Sequence, residues 1–523
     1  MHSSALRYIR YIIAAFSFLT IGFLFVDYRN LTPPELYKAF TCLQFGPSLV
    51  QFIHYAGILS AGFIFILILT LLVGRFYCSA LCPLGILQDI MIRSEKWFRK
   101  RKALRFRKAT WWRYVFLGLA AVSLLTGFLA VFNLLDPYSN FGRMFSSLAK
   151  PLIILANNLA AKLLGESGPV VINQYPIRGF DVPTIVYPLL ILVLLVYLTW
   201  KHGRLFCNLI CPVGTLLGLF SRFSIFKISL DKTICNQCGK CSAKCKANCI
   251  DIKTQEIDYS RCVMCFDCIG PCPDDGVKLG RIPITTYKAD NQSPADPKQA
   301  SRRKFVGSAI LLGMAGHLFA QKKNTTVFEK PTTIPEKKSG AVSPPGSRSI
   351  EEFTSKCVAC HLCVSACPTQ VLQPSMLQYG LQGFLMPHMD YHANFCNFEC
   401  VACGKACPTS AIEQITVEEK KTIQLGKTTF VKENCVVYTY NTACGACSEH
   451  CPTKAVHMVP YLNGLKIPEV NQSICVGCGA CEYACPTKPY KAIFVNGNTV
   501  HQLAETPKEE KIERDAENEE WAF

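Results

Sequence analysis

Six short cysteine runs dominate the second half of the chain and restrict what it can fold into. Two of them, at 235–245 and 262–272, have the spacing C-x2-C-x2-C-x3-C, which is the run that binds a cubic 4Fe–4S cluster. In two-cluster ferredoxins three closely spaced thiolates bind one cluster, and the fourth cysteine of the run reaches the other cluster. The sequence therefore predicts one cluster on Cys235, Cys238, Cys241 and Cys272, and a second on Cys262, Cys265, Cys268 and Cys245.

Four further runs follow after residue 350, and each ends in Cys-Pro. The second and third of these have enlarged first gaps, of three and eight residues, which lengthens a loop without changing the number of ligands. Spacing leaves open whether neighbouring runs pair or the outer runs pair with the inner ones. We predict six 4Fe–4S clusters in total, the last four on Cys357, Cys360, Cys363, Cys367, Cys396, Cys400, Cys403, Cys407, Cys435, Cys444, Cys447, Cys451, Cys475, Cys478, Cys481 and Cys485.

Two other metal chemistries compete for these cysteines. Four thiolates also suit zinc, but zinc ribbons do not repeat a tight three-plus-one run in pairs. The segment CVACH at 357–361 matches the C-x-x-C-H pattern of c-type haem attachment. Its two cysteines are already the first two of a complete cluster run, so the sequence favours iron–sulfur clusters over haem.

The first 200 residues are strongly apolar and contain four segments of roughly the ~20 residues needed to span a bilayer. The residues between the second and third segments, 93–113, hold ten Lys or Arg and one acidic residue, whereas 27–52 and 135–181 hold two and four basic residues. The basic loop is expected in the cytoplasm. Its ten basic residues account for part of the net charge of +18, so this charge does not by itself indicate a nucleic-acid partner. The first segment lacks the small-residue cleavage site of a signal peptide. The segments are Tyr8 to Val26, Ile53 to Val73, Trp112 to Leu134 and Val182 to Trp200.

A motif at the end of the second apolar segment returns at the end of the fourth: GRFYCSALCPLG at 74–85 and GRLFCNLICPVG at 203–214. On a helix, cysteines four apart share a face, and the proline that follows would end or kink that helix. Four thiols are therefore expected to converge near one membrane surface as a redox relay or cofactor anchor. The alternative is that they are small buried hydrophobes, and Cys42 and Cys249 are interpreted as structural. The motif thiols are Cys78, Cys82, Cys207 and Cys211.

The boundaries follow from these features. We predict a four-span membrane domain (1–224), a two-cluster ferredoxin domain (225–285), linkers (286–348), a four-cluster ferredoxin domain (349–502) and an acidic tail (503–523). Within the linkers, SRRKFV precedes the apolar stretch Phe305 to Ala320 and is similar to a twin-arginine export signal. This stretch is predicted as a fifth span, with a short amphipathic helix as the alternative. The fold class is thus a membrane α-helical bundle joined to α+β bacterial-type ferredoxin domains.

With these motifs in place, residues 1 to about 285 resemble NapH, the membrane ferredoxin-type component of periplasmic nitrate reductase systems. Residues 301 to about 495 resemble NapG, its four-cluster periplasmic partner, including the C-x8-C gap of the third late run. The chain therefore looks like a NapH–NapG fusion, although Lys246 stands where the first run should have its proline.

The resemblance implies a protein of the bacterial inner membrane, with its first ferredoxin domain in the cytoplasm and its second in the periplasm. It would take electrons from the membrane quinone pool and pass them towards a multihaem cytochrome or terminal reductase, as an electron-transfer subunit of a quinol dehydrogenase and not as a stand-alone catalyst. His54 and His202 are available as proton acceptors for quinol. Two alternatives remain, a membrane ferredoxin for assembly or regulation of another metalloenzyme, as in nitrous-oxide-reductase regulators and oxidase-assembly ferredoxins, and a structural adaptor.

Overall fold

The structure, a computed structural model, describes residues 3–55, 57, 61–98, 106, 110–164, 173–177, 182–281, 334–336, 338 and 340–506. The twin-arginine segment, the predicted fifth span and most of the acidic tail lie outside the described residues. Within the described part the chain forms a helical domain with a small α+β domain at each end.

The N-terminal domain is entirely helical. Its helices are α1 (Ser3–Val26), α2 (Pro34–Thr41), α3 (Phe45–His54), α4 (Gly62–Val73), α5 (Tyr77–Ala80), α6 (Pro83–Phe98), α7 (Trp112–Leu125), α8 (Ala130–Leu135), α9 (Pro137–Met144), α10 (Lys150–Leu164), α11 (Val182–His202) and α12 (Pro212–Ser221). A π-helical turn, Phe145–Ala149, joins α9 to α10.

Three helices of the described part are long and apolar enough to cross a membrane: Ala5–Val26, Pro137–Leu163 and Thr184–His202. The first and last agree with predicted spans one and four. Predicted spans two and three are each broken, since α4 has 12 residues and α7 has 14. The 27-residue helix at 137–163 occupies a region that the sequence assigned to a loop. The four predicted spans are therefore not found as four continuous helices.

The first ferredoxin domain is built from two antiparallel hairpins. Its outer pair of strands aligns Phe226 with Arg281, and its inner pair aligns Ile250 with Ile257. One cysteine run connects the first outer strand to the inner pair, and the other connects the inner pair to the second outer strand. Pairing of the outer strands therefore joins the start of the domain to its end. The elements are β1 (Phe226–Leu230), α13 (Lys240–Lys244), β2 (Ile250–Asp251), β3 (Glu256–Ile257) and β4 (Val277–Arg281).

The second ferredoxin domain repeats this plan with more elements. Antiparallel strands pair as β5 with β6, β7 with β10, and β8 with β9. Its elements are α14 (Ile350–Lys356), α15 (Leu362–Ala366), β5 (Leu372–Pro374), β6 (Pro387–Met389), α16 (Ala402–Ala406), α17 (Val417–Thr422), β7 (Ile423–Phe430), α18 (Val436–Tyr440), α19 (Ala446–Glu449), β8 (Val456–Pro460), β9 (Lys466–Val470), α20 (Ala480–Ala484) and β10 (Ile493–Leu503).

The two ferredoxin domains contact opposite ends of α1. Near its start, the Tyr11 hydroxyl donates a hydrogen bond to Asp267 of the first domain at 2.8 Å. At its end, the carbonyl oxygen of Phe25 accepts a hydrogen bond from the Ser365 hydroxyl of the second domain, also at 2.8 Å. Fourteen residues of helix separate these contacts, or about 21 Å at 1.5 Å per residue. The helical domain therefore lies between the two ferredoxin domains.

Candidate redox centres

The cysteines of the first ferredoxin domain surround two cavities. One is lined by Cys235, Cys238, Cys241 and Cys272, and the other by Cys245, Cys262, Cys265 and Cys268 together with Cys249. These are the same two sets of four that the spacing assigned. Four thiolates around a cavity are the donor set that a 4Fe–4S cluster takes, so the residues present fit that group. Cys249, which we interpreted as structural, lies 3.5 Å from the Cys245 sulfur.

In the second ferredoxin domain, neighbouring runs pair. Cys407 lies near Cys357, Cys360 and Cys363, while Cys367 lies near Cys396 and Cys403. The last two runs approach each other in the same way, with Cys485 near Cys435 and Cys447, and Cys451 near Cys478 and Cys481. Of the two pairings that spacing left open, this arrangement favours sharing between adjacent runs.

These four cysteine sets follow one another in a row. Tyr138 in α9 lies near Cys360 and Cys407, which puts their set beside the helical domain. The Cys396 amide donates a hydrogen bond of 3.0 Å to the carbonyl of Cys478, which joins the second set to the set of the last run. The set containing Cys435 is therefore the one farthest along this row from the helical domain.

The haem alternative finds no support in the surroundings of His361. Its Nε2–H donates a hydrogen bond of 2.8 Å to the carbonyl of Leu385. Burial, with a contribution from the positive charge of Arg143, lowers the pKa of His361 to about 3. This imidazole is a neutral, buried donor that is already engaged with the backbone of its own domain.

The four motif thiols of the helical domain converge, as expected from the repeat. Each is at most 4% exposed, and the four side chains lie near one another. All 30 cysteines lie among the described residues, and none is in a disulfide. We call the set of Cys78, Cys82, Cys207 and Cys211 the thiol quartet.

The local structure differs from the helix with paired cysteines that the spacing suggested. Cys78 lies in the four-residue α5 and Cys207 in a π-helical turn, Phe206–Ile210. Each following proline, Pro83 or Pro212, is the first residue of the next helix, a position where the missing N–H costs nothing. The second cysteine of each motif therefore stands just before a helix N-terminus, and Cys211 accepts a hydrogen bond from the Gly214 amide at 3.3 Å.

The two motifs are held together by a reciprocal exchange of arginines. The guanidinium of Arg75, from the first copy, donates to the carbonyl of Cys207 at 3.1 Å. The guanidinium of Arg204, from the second copy, donates to the carbonyl of Cys78 at 2.7 Å. Both arginines are at most 1% exposed. The arginine near the start of each motif thus binds the backbone of the other copy and holds the two copies together.

The glycine that closes each motif is explained by the same packing. A Cβ on Gly85 would lie 2.2 Å from the carbonyl oxygen of Cys78, and a Cβ on Gly214 would lie 2.2 Å from that of Cys207. Only glycine permits this approach of helix to turn.

A buried ion-pair network joins the thiol quartet to the first ferredoxin domain. Asp89 of α6 contacts Arg10 at 3.0 Å, Arg204 at 2.7 Å and Lys246 at 3.3 Å. Burial alone would raise the pKa of Asp89, but these three cations hold it well below its usual range. Lys246 also reaches Asp267 at 2.6 Å. The missing proline at position 246 is therefore replaced by a lysine that anchors this domain.

On the other side of the thiol quartet, aromatic and acidic side chains lead to the second ferredoxin domain. Tyr77 lies near Cys82 and Asp136, and Tyr138 lies near Asp136 and Cys360. The Asn133 amide donates to the carbonyl of Cys357 at 3.1 Å. Buried side chains thus connect the quartet to the nearest cysteine set of the second domain.

A cavity of about 540 Å³ lies where the start of α11 meets the second ferredoxin domain. Thr184 lines it from the helical domain, His388, Tyr391 and His392 line it from the second ferredoxin domain, and Glu336 lines it from the segment that precedes that domain. The hydrogen bond that His392 donates to the Glu336 carboxylate raises the pKa of His392. The Tyr391 ring packs on the next run so closely that a Cβ on Gly479 would lie 2.1 Å from it. Titratable groups therefore stand one side chain away from a cysteine set.

His54 and His202, the two histidines that the sequence makes available near predicted spans, do not share a site. His54 contacts the carbonyl of Ser355 at 3.2 Å in the second ferredoxin domain. The carbonyl of His202 accepts a hydrogen bond of 2.9 Å from Asn248 in the first. They therefore lie at opposite ends of the helical domain. The cavity histidines lie in the segment between two cysteine runs, where the sequence alone did not single them out.

Profiles of protein families match four segments of the chain. A 4Fe-4S binding domain matches residues 54–105 and 184–231, a 4Fe-4S dicluster domain matches 442–488, and another 4Fe-4S binding domain matches 350–373. The first two segments contain the four quartet cysteines and no other cysteine. No solved structure matches the chain.

Several curated proteins are similar to the chain. The methylamine utilization ferredoxin-type protein MauM of Methylophilus methylotrophus is 32% identical over 203 residues, which are 37% of this chain and 83% of that protein. MauN of Paracoccus denitrificans is 27% identical over 203 residues, covering 37% and 56%. NapG of Escherichia coli is 33% identical over 97 residues, covering 18% and 40%.

Proposed function

The chain belongs to the family of ferredoxin-type iron–sulfur proteins that includes MauM, and we propose that it is a membrane conduit that carries electrons from quinol to a terminal reductase or cytochrome. A quinol gives up two electrons and two protons, whereas each cluster takes one electron at a time. The six cysteine runs would supply the clusters. The helical domain would hold them at the membrane, in the arrangement of a NapH–NapG fusion.

The observation that carries this proposal is the continuous row of cysteine sets through the molecule. The set of Cys262 lies beside the ion pairs of Asp89, the thiol quartet follows, and Tyr77 and Tyr138 lead on to the set of Cys357. Three further sets then follow in line through the second domain. A maturation factor or an adaptor has no need for a row of this length, whereas electron transfer requires it.

We place the first ferredoxin domain in the cytoplasm and the second in the periplasm. The basic stretch 93–113 begins in the last turns of α6 and ends at the start of α7, and α6 is the helix whose Asp89 contacts the first domain through Lys246. The positive-inside rule puts this end of the helical domain in the cytoplasm. The second domain, which contacts the other end of α1, is then on the opposite side.

The cavity at the start of α11 is the place we propose for the quinol head group. Its volume, about 540 Å³, is within the range of small-molecule sites. His392 would accept a proton, and its hydrogen-bonded partner Glu336 would balance the charge that results. The ring of Tyr391 would stand between the quinol and the cysteine set of Cys478.

Replacing Cys475 tests the conduit against the two other functions. In Cys475→Ser, a conduit loses electron delivery to its partner, while the partner's abundance and metal content stay unchanged. If the partner instead accumulates without its metal, the chain is a maturation factor. If the partner no longer binds, the chain is an adaptor. Cys42→Ser is the matched control, because Cys42 belongs to no cysteine set.

A further inference from the structure

We propose that the thiol of Cys249 donates a hydrogen bond to the sulfur of Cys245 and thereby raises the reduction potential of the cluster that Cys245, Cys262, Cys265 and Cys268 would bind. Cys249 is then a positioning residue that acts through Cys245 and is not itself a ligand. This inference goes beyond the proposed function and rests on it only for the presence of the cluster. Cys249 lies outside the segments that the family profiles match.

The position of Cys249 recurs in other cysteine runs without a thiol. Its carbonyl oxygen accepts a hydrogen bond of 2.9 Å from the amide of Asp258, which precedes the first cysteine of the paired run. In four other runs a residue just after the last cysteine accepts the equivalent hydrogen bond at 2.7–2.8 Å, and none of the four has a side chain that can donate one. These residues are Gly276, Val371, Ala455 and Ala492.

The side chain of Cys249 is surrounded by apolar groups and by sulfur. It is 2% exposed, and it lines the same cavity as the four cysteines of the set, together with Ile250 and Val263. Its sulfur lies 3.5 Å from that of Cys245. Within the described ranges, the hydrogen-bond partners of this side chain are two cysteines of the set, Cys245 and Cys262. A ligand thiolate has no proton, so the proton between the two sulfurs belongs to Cys249.

A hydrogen bond to a ligand sulfur favours the reduced cluster. Reduction adds one negative charge to the cluster, and the donor stabilises this charge more than it stabilises the oxidised state. Hydrogen bonds to the sulfurs are accordingly one of the means by which proteins set the potential of a cluster. Lys246, Arg10 and Arg204 lie near Cys265 of the same set. The thiol and the three cations therefore act in the same direction, and they favour an electron on the set beside the helical domain.

Two other roles for Cys249 predict different results. A free cysteine is often a small buried hydrophobe, and in that role alanine would replace it with no change in potential. A fifth ligand would instead be needed to retain iron. Alanine is the residue at two of the equivalent positions, and serine keeps a donor of similar size, so these two substitutions separate the three roles.

The experiment is an anaerobic redox titration of the full-length protein in detergent, followed by electron paramagnetic resonance, with iron counted per chain. Cys249→Ala is compared with Cys249→Ser, with Cys42→Ser as a control and with the unchanged protein. We expect Cys249→Ala to keep all its iron and to bind an electron about two- to tenfold more weakly at one cluster, a shift of about 20–60 mV to lower potential. Cys249→Ser should stay close to the unchanged protein, and Cys42→Ser should shift no signal.

The signal that moves is assigned with Cys265→Ala, in which it should be lost. Equal potentials in Cys249→Ala and the unchanged protein would overturn the inference, as would the loss of about four irons in Cys249→Ala. If Cys249→Ala cannot be purified, Cys249→Val is titrated in the same way, because valine is the residue at position 371. Full iron with no shift rejects the inference alone, whereas an unchanged protein without clusters rejects the proposed function as well.

Discussion

Arg75 of the first motif donates a hydrogen bond of 3.1 Å to the carbonyl of Cys207 in the second motif. This contact ties two segments that are 132 residues apart and places a buried positive charge beside four thiols. The sequence repeat is therefore a repeat in space, with each copy completing the surroundings of the other.

Removing the Arg75 guanidinium should destabilise the protein. Arg75→Gln leaves the carbonyl of Cys207 without its donor, which costs about 1–3 kcal/mol. We expect a lower unfolding temperature. Arg29→Gln, at an exposed position, is the control. An unfolding temperature of Arg75→Gln equal to or above that of the control would contradict the role of Arg75 in holding the two motifs together.

Neutralising Asp89 should loosen the first ferredoxin domain. In Asp89→Asn three cations lose their shared carboxylate, and breaking a buried pair costs about 3–5 kcal/mol. Limited proteolysis between residues 222 and 281 should become faster, whereas Glu256→Gln, a surface change, should not alter it. Unchanged protease resistance in Asp89→Asn would refute the anchoring role of Lys246.

The ion pairs of Asp89 should be insensitive to pH in the physiological range. Because its pKa is lowered in the folded protein, its stabilisation is present above the ordinary value of about 3.9 and is lost only as the pH falls below it. The proteolysis rate of the unchanged protein should therefore be constant between about pH 6 and 8. A marked increase within this range would contradict the assigned charge state.

Quinol oxidation should depend on His392. His392→Ala removes the proton acceptor and should slow quinol-driven cluster reduction by about 100-fold, with reduction by dithionite unchanged. His457→Ala is the control, because His457 is an exposed histidine paired with Glu469 on β9. Equal quinol rates in the two variants would exclude this cavity as the quinol site.

The pH profile of the same reaction gives a second test. Glu336 raises the pKa of His392, so the neutral imidazole that accepts a proton appears only as the pH rises through a value above the ordinary ~6.5. The rate should increase with pH through that value. In Glu336→Gln the midpoint should move down towards ~6.5, and an unmoved midpoint would show that a different group takes the proton.

The cysteine sets of the first domain were predictable because in a run of this spacing the first three cysteines bind one cluster and the fourth binds the cluster of the neighbouring run. Spans one and four were predictable because their apolar runs are long and uninterrupted. The breaks in spans two and three were not, since hydropathy registers neither the extended backbone of Tyr55 after α3 nor the turn at Gly127, whose φ is +71°. Pro137–Leu163 was missed because Arg143 and Lys150 lower its hydropathy, and Lys150 is buried by bonding to Ser365 in a domain more than 200 residues away.

The central claim is that electrons from quinol enter this row of redox centres, and it is tested most directly by adding a menaquinol or ubiquinol analogue to the purified protein in membranes without oxygen. Cluster reduction is followed by electron paramagnetic resonance, with iron counted per chain. The account predicts a full iron content and cluster signals that grow with added quinol. Full iron, signals with dithionite and no response to either quinol would contradict it.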